Sequence, residues 1–584
     1  MLPLMHDLIS RDALAQATSL SAKNPIVSLI SNAARIPRIN EIYRRSWSAD
    51  PNEFLDRVFD ELQIHISVSP KELNNIPETG PFIIVANHPF GAIDGLALLK
   101  SVRDRRPDFR IMANFLLQYV QPLKDAFISV NPFEELRSSH SNVTGIKDCL
   151  NHVRSGGGLG IFPAGEVSTF DSAERSVVDK PWNTGAIKLI QKAAVPVIPV
   201  HFEGHNSVTF HALGMIHPRL RTLALPSELL KKSGSKLTLS VGQAIQAQEL
   251  KTFTKVEEAA SYLRARTYAV GYRGAQVRPA VYSLYNKTSS KCNIVPETEV
   301  EAIVEDLHRN QNQCIASKGS FQVFALQKSK AENVIREIGR LREITFRSVG
   351  EGTGNSIDLD QYDEYYKHLV VWDSDAQRIV GAYRIGHGPS ISSSFGIEGL
   401  YLNTLYKIQG PAREVLTHSA ELGRSFVVEG YQRHRLSLFM LWKGIEAYLA
   451  GHPEVKHLVG PVSISSKYHV SSKQIMMQFF LRQSQDHPLA QHVTPRTPYR
   501  EDCAMPCLRD LLAGIQGDLK ALDRIVSDNE PNGAGIPVLI KKYMAQNGAI
   551  LSFNCDADFN NSIDGFLIVD VEDIPADLRQ CLSQ

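Results

Sequence analysis

The stretch PFIIVANHPFGAIDGLALLKSV (residues 81–102) decides the fold class. Its first half is an unbroken apolar run and reads as a strand buried on both faces, and GLALLKSV reads as the helix that follows. His88 and Asp94 lie at the turn between them, where Gly91 and Gly95 let the backbone bend tightly. A histidine of near-neutral pKa can take a proton from a hydroxyl, and a carboxylate on its other ring nitrogen fixes the tautomer and stabilises the imidazolium. The same aspartate can simply cap the helix. On these residues alone the two readings stand level.

The alternation continues outward, from about residue 80 to 246. DAFISVNPF, LGIFPAG, VPVIPVHFEG and SKLTLSVGQAI read as strands, with helical segments VTGIKDCLNHVRSGGG and TGAIKLIQKAA between them. Strands interleaved with helices imply an α/β layer structure with working loops at the strand ends. Past a polar junction the texture changes. YKHLVVWDSDAQRIVGAYRIG is a hairpin around a DSDAQ turn, SAELGRSFVV and VKHLVGPVSI are strands, and LFMLWKGIEAYLAGHP is a helix ending at Gly451. The expected organisation is a helical, membrane-associating segment over 1–70, an α/β domain over 71–275, a linker over 276–305, and a second α/β domain with a hairpin-rich sheet over 306–584.

At 584 residues the chain exceeds what one core supports. A formal net charge of +1 supplies no global field for nucleic acid. Seven scattered cysteines form neither a disulfide framework nor a zinc signature, so no metal is expected. The N-terminus lacks the order of a signal peptide, and no apolar run approaches the ~18–20 residues that span a bilayer. RIPRINEIYRRSW (residues 35–47) mixes basic and apolar residues as an element lying on a membrane does.

FPAGEVS (162–168) and VPVIPVHFEG (195–204) end strands of the same sheet as ANHPFGAIDG. In this order and spacing the three blocks resemble the glycerolipid acyltransferases typified by lysophosphatidic acid acyltransferases, over about residues 70 to 250. The resemblance implies that His88 is the general base for an acceptor hydroxyl and Asp94 its partner. It implies further that Phe162, Pro163, Gly165 and Glu166 border the acceptor. Five residues separate His88 from Asp94 where the family usually has four, a form known in its hemolysin-like branch. Glu166 and Val167 stand where the common F-P-E-G-T-R-S block has threonine and a phosphate-gripping arginine. A carboxylate there repels a phosphate monoester and attracts an ammonium group.

In the second half Arg342, Asp360, Asp363, Arg384, Glu421 and Arg424 fall at element ends or inside apolar strands. Charges so placed are costly unless paired or used. A carboxylate such as Glu421 can take the proton that an ammonium must lose before it attacks a thioester, directly or through a water. The arginines can pair with the aspartates or hold an acceptor's carboxylate in a fork. The blocks LREITF, DQYD, GAYRIG and ELGRSFV are similar to those of acyl-homoserine lactone synthases and ornithine N-acyltransferases, which share a GNAT-like fold. The continuation to about residue 575, and the missing tryptophan between the first two blocks, favour the ornithine group.

Together the halves resemble the bifunctional ornithine lipid synthases. That resemblance implies N-acylation of ornithine by 3-hydroxyacyl carrier protein in the C-terminal half. O-acylation of the lyso-lipid 3-hydroxyl in the N-terminal half then follows. The expected cofactors are none beyond acyl carrier protein thioesters. The expected partners are acyl carrier protein, the amino-acid and lyso-lipid substrates, and a membrane surface, and no nucleic acid. The expected location is cytoplasmic, on the inner face of a bacterial inner membrane. The basic clusters RDRRPDFR (103–110), HPRLR (217–221), KKSGSK (231–236) and YQRHR (431–435) are candidate docking patches for the acidic carrier or the membrane. Glycine, serine, lysine or glutamine acceptors use the same amine chemistry. The alternative is a lysophospholipid acyltransferase whose C-terminal domain is non-catalytic or regulatory.

Overall fold

A computed structural model describes residues 7–575 except 19–20, 22, 115–119, 131–138, 173–175, 272–291, 500–504, 506, 516, 557–558 and 560. The chain divides into two compact units, 1–275 with 505–516, and 276–504 with 517–584. Both have the α/β architecture expected of them.

The first unit is built on β1 (His65–Ser67), β2 (Phe82–Ala86), β3 (Arg110–Asn114), β4 (Phe127–Val130), β5 (Gly158–Ile161), β8 (Val197–Phe202) and β9 (Lys236–Val241), with a small hairpin β6 (Thr169–Asp171) and β7 (Ser176–Val178) outside the sheet. Strand order is β1-β9-β8-β2-β5-β3-β4, and every neighbouring pair is parallel except β8 with β9. All five residues of β2 are buried, as an unbroken apolar run at the centre of a parallel sheet requires. Because β8, β2 and β5 run side by side in one direction, the loops after Ala86, Ile161 and Phe202 leave the sheet at one edge. That edge is where open parallel sheets bind ligands.

Two expectations about this unit change. The helix Ile36–Ser46 turns Ile36, Ile39, Ile42 and Tyr43 inward and pairs Arg38 and Arg45 with Glu41 and Glu61, so its apolar face is core rather than a membrane contact. The helix Leu508–Ile515 belongs to this unit although it lies late in the chain. It buries Leu511, Leu512 and Ile515, Arg264 reaches Asp510 at 3.2 Å, and Gly514 lies close against Tyr262.

The second unit carries an eight-stranded sheet of β10 (Cys314–Lys318), β11 (Phe321–Gln327), β12 (Lys367–Asp373), β13 (Arg378–His387), β15 (Ser419–Val427), β16 (His457–Ile464), β18 (Ala549–Asp556) and β19 (Ser562–Asp570), ordered β10-β11-β12-β13-β15-β16-β19-β18. β14 (Tyr406–Ile408) pairs separately with β17 (Val493–Pro495). The linker expected over 276–305 lies outside the described residues as far as 291, and from Val300 to Arg309 the chain is helical.

Within this sheet β15 and β16 are the one parallel pair among the described strands, and they pair over three positions, Ser419 to Glu421 against His457 to Val459. Beyond Glu421 they part. On the other side of β15 a bulge sets Arg424 and Ser425 against Tyr383, with Arg424 at φ 50°. Gly460 sits where the strands begin to diverge, and a methyl group there would come within 2.1 Å of the Leu422 carbonyl oxygen. Gly460→Ala is therefore expected to lower the stability of the purified protein by about 1–3 kcal/mol, seen as a fall in the unfolding midpoint. An unchanged midpoint contradicts this account of the splay.

Candidate active sites

At the working edge of the first unit, Asp94 serves both of the roles its sequence context allowed. Its Oδ2 accepts the backbone N–H groups of Phe90 (3.0 Å) and Gly91 (3.1 Å) at the start of the helix Ala92–Arg103, and it lies 2.9 Å from His88 Nδ1. The contact with the ring has hydrogen-bond distance but not its alignment, a common state of catalytic pairs without substrate. Gly91, one of the five residues between His88 and Asp94, has a φ of 96° that only glycine adopts readily. The Phe162 ring packs 4.5 Å from the imidazole, centroid to centroid. Gly165, at φ 70°, closes a turn by donating its N–H to the Phe162 carbonyl, and the Pro163 carbonyl accepts from Asn183. His88, Asp94 and the Phe162–Glu166 turn are thus brought to one place.

A clamp holds the His88 main chain. Its N–H donates to Asp179 Oδ1 (3.1 Å), and its carbonyl accepts the Ser168 N–H (2.9 Å). The Ser168 hydroxyl donates to the same Asp179 oxygen at 2.6 Å, and the Trp182 indole N–H donates to the other at 3.0 Å. Burial pushes the Asp179 carboxyl up, and these donors and the nearby His88 oppose it. Sequence reading did not single out Asp179 or Trp182. A buried aspartate 91 residues from the histidine it supports has no local signature.

Glu166 is not available to an ammonium group as expected. It is bound by Arg221 at 2.5 Å and Lys180 at 2.8 Å, which hold it below the usual carboxylate range against its burial. Arg221 comes from the cluster HPRLR, read as a docking patch. Within RDRRPDFR, Arg106 is likewise internal, donating to Asp108 and to the carbonyls of Pro77, Gly80 and Gly156.

In the second unit the charged residues form one network. Arg342, 1% exposed, donates to both Asp363 oxygens and to the Asp358 carbonyl. Arg384 donates to Asp360 (2.5 Å) and reaches Asp363 at 3.3 Å, and Arg424 contacts Asp360 (3.4 Å) and Asp358 (3.5 Å). Three guanidinium groups thus face three carboxylates. Burial alone would raise the Asp363 pKa, but Arg342 and Arg384 hold it well below the carboxylate range. His368, buried against Asp363, is pushed down to about 3 and stays neutral.

Glu421, fully buried, is bonded differently. Its Oε2 accepts the Tyr366 hydroxyl (2.6 Å) and the Tyr401 N–H (2.9 Å), and its Oε1 accepts the Leu402 N–H (2.8 Å). Burial raises its pKa despite these donors. Tyr366 itself is wedged against Gly386, where a methyl group would meet its ring at 2.5 Å. A cavity of about 20 Å³ opens beside the carboxylate where β15 leaves β16, lined by Tyr366, Arg384, Tyr401, Glu421, Gly423, Arg424 and Pro461. Of the expected residues Arg384, Glu421 and Arg424 line it, while Arg342, Asp360 and Asp363 stand behind them. The volume suits about one water molecule.

Among the described residues one group of three possible metal ligands occurs, His387, His452 and Glu454, with ligand atoms within 4.8 Å of one another. It contains none of the residues above. No helix among the described residues is long and apolar enough to cross a membrane.

Comparison with known proteins matches residues 14–273 to the family described as Acyltransferase and residues 341–443 to the Acetyltransferase (GNAT) domain. The glycine N(alpha)-acyltransferase of Bacteroides thetaiotaomicron is 30% identical over 301 residues, covering 49% of this chain and 88% of that protein. The lyso-glycine lipid O-acyltransferase of Phocaeicola vulgatus is 27% identical over 245 residues, covering 41% of this chain and 83% of that one. The solved LPA acyltransferase PlsC of Thermotoga maritima aligns with a TM-score of 0.26 at 18% identity, covering 42% of this chain and 96% of that one. The chain is an enzyme that transfers acyl groups.

The buried charges make stability depend on pH. An imidazole whose folded pKa is depressed lets the unfolded chain bind the proton first, so its contribution falls as pH drops below the ordinary value of ~6.5. Asp564 and Glu421 are raised, Asp564 to about 7, and act in the opposite sense, so His368 is read by difference. The stability advantage of wild type over His368→Gln, measured by thermal unfolding, is expected to narrow between pH 6.5 and 4.5. A gap that does not change with pH contradicts the neutral assignment.

Proposed function

The chain belongs to the acyltransferase family that includes the glycine N(alpha)-acyltransferase of Bacteroides thetaiotaomicron, and on that premise we propose that it makes an amino-acid lipid in two acyl transfers. The GNAT-type unit N-acylates an amino acid with a 3-hydroxyacyl chain, and the N-terminal unit then acylates the 3-hydroxyl of that lyso-lipid. The observation that carries this reading is a proton acceptor in each unit, His88 held by Asp94 and the raised carboxylate of Glu421. The two named relatives agree with it, each covering less than half of this chain.

In the first transfer the ammonium of the acceptor passes a proton to Glu421 through one water in the cavity. Oε1 accepts one backbone N–H and keeps a lone pair for that water. The freed amine attacks the thioester carbon, the amide forms, and the thiol leaves. In the second transfer His88, oriented through Nδ1, takes the hydroxyl proton at Nε2 and returns it to the departing thiolate. Arg342, Asp360 and Asp363 hold Arg384 in place rather than touching substrate, and Phe162 and Pro163 shape the acceptor side of the second site.

The acyl donor in this proposal is an acyl carrier protein thioester. The amino acid is ornithine, on the resemblance of the sequence blocks. Glycine is the second reading, favoured by the activity named for the relatives. The enzyme works at a membrane surface. The helix Val208–Ile216 and the segment after it, with Val208 and Met215 each 78% exposed and Leu220 41% exposed, replace the helix Ile36–Ser46 as the lipid-facing element.

Lipid extracts of a non-producing host expressing wild type, His88→Ala or Glu421→Ala test the scheme. Wild type is expected to yield the two-chain lipid, His88→Ala to accumulate the one-chain lyso-lipid, and Glu421→Ala to yield neither. The mass of the head group separates ornithine from glycine. An unchanged profile with wild type sinks the scheme, and Glu421→Ala indistinguishable from wild type supports a lysophospholipid acyltransferase with a non-catalytic second unit. Asp179→Asn, which loosens the His88 clamp, is expected to slow the second transfer by about 10- to 100-fold. A rate within about twofold of wild type would show that Asp179 does not position the base.

A further inference from the structure

Glu166, on the turn beside His88, is paired with two cations, Arg221 and Lys180. Arg221 lies on the helix Pro218–Lys231. One turn further on, Leu225 would meet a methyl group on Gly91 at 3.1 Å, so this helix packs against the loop joining His88 to Asp94. Val167 meets the same glycine at 3.5 Å, and Lys232 sits over the Phe90 ring at 4.3 Å. The helix thus spans from the catalytic loop to the Glu166 turn and delivers Arg221 between them. Its guanidinium is 11% exposed and gives Nη2 to Glu166 Oε2, while Lys180 gives Nζ to Oε1. One carboxylate therefore gathers two donors at fixed spacing, and each retains N–H directions toward a further anion.

We propose that Arg221 and Lys180, gathered on Glu166, form the subsite for a carboxylate on the hydroxyl-bearing acceptor of the N-terminal unit. The inference rests on the reading of that unit as an O-acyltransferase for N-acyl amino acids, molecules that keep a free α-carboxylate after their amine is acylated. Arg221 reaches the turn from a separate helix, Pro218–Lys231. Glu166 holds the two cations apart and in register, so it acts as a positioning residue.

The test uses the purified full-length protein, one acyl thioester and three acceptors: an N-(3-hydroxyacyl) amino acid, its methyl ester, and lysophosphatidic acid. Wild type is expected to show a kcat/KM about tenfold or more higher for the acid than for the ester, because the ester removes a charge-assisted contact. Arg221→Gln is expected to lose that preference. The comparison of acid with ester in wild type needs no variant, so a substitution that fails to fold does not decide the matter. Equal rates for acid and ester in wild type overturn the subsite and leave the two-transfer reading standing. Transfer to lysophosphatidic acid with none to acid or ester overturns both.

Discussion

In each unit of this chain a buried carboxylate near the site accepts two backbone N–H groups where a helical turn begins. Asp94 takes the N–H groups of Phe90 and Gly91, and Glu421 takes those of Tyr401 and Leu402. Both are fixed by the fold itself before any substrate arrives. The remaining bond of each carboxylate then sets its chemistry. Asp94 faces an imidazole, which can take a proton and hand it on. Glu421 faces Tyr366 and a cavity of about one water's volume, and burial raises its pKa, which in the proposed scheme makes it the proton acceptor.

The surroundings follow from the same economy of charge. In the second unit three arginines and three aspartates cancel, which leaves Glu421 the one charged group lining the cavity outside that network. Breaking one partner of such a set strands a buried charge, so these residues are as necessary to folding as to the site. In the first unit Asp94 and Asp179 both hold His88, and beside them Glu166 gathers Arg221 and Lys180.

Much of this was legible in the sequence. The apolar run before His88 and the DSDAQ hairpin turn fixed strand and turn locally, and the α/β class followed from the alternation around them. His88 and Asp94 were legible as neighbours across a turn, but on those residues alone pairing and helix capping stood level, and the resemblance carried by FPAGEVS and VPVIPVHFEG chose the pair. What escaped sequence reading came from distance along the chain. Asp179 reaches the His88 backbone across 91 residues. Arg221 looked like part of a surface basic cluster until its helix folded back onto the Glu166 turn. The helix Leu508–Ile515 interrupts the second unit in sequence and packs in the first. The apolar face of Ile36–Ser46 looked free for a membrane because its partners, including Phe54 and Val58 of the next helix, are themselves amphipathic. In each case an amphipathic or charged residue had two possible partners, and packing chose between them.

The central claim is that two independent sites act in sequence on one molecule. Purified Glu421→Ala protein given a synthetic N-(3-hydroxyacyl) amino acid and an acyl thioester tests it most directly, because the first transfer is bypassed and the His88 site is intact. The account predicts O-acylation of the 3-hydroxyl at the wild-type rate. Failure of this variant to acylate a lyso-lipid that wild type accepts, or failure of both proteins, would contradict it.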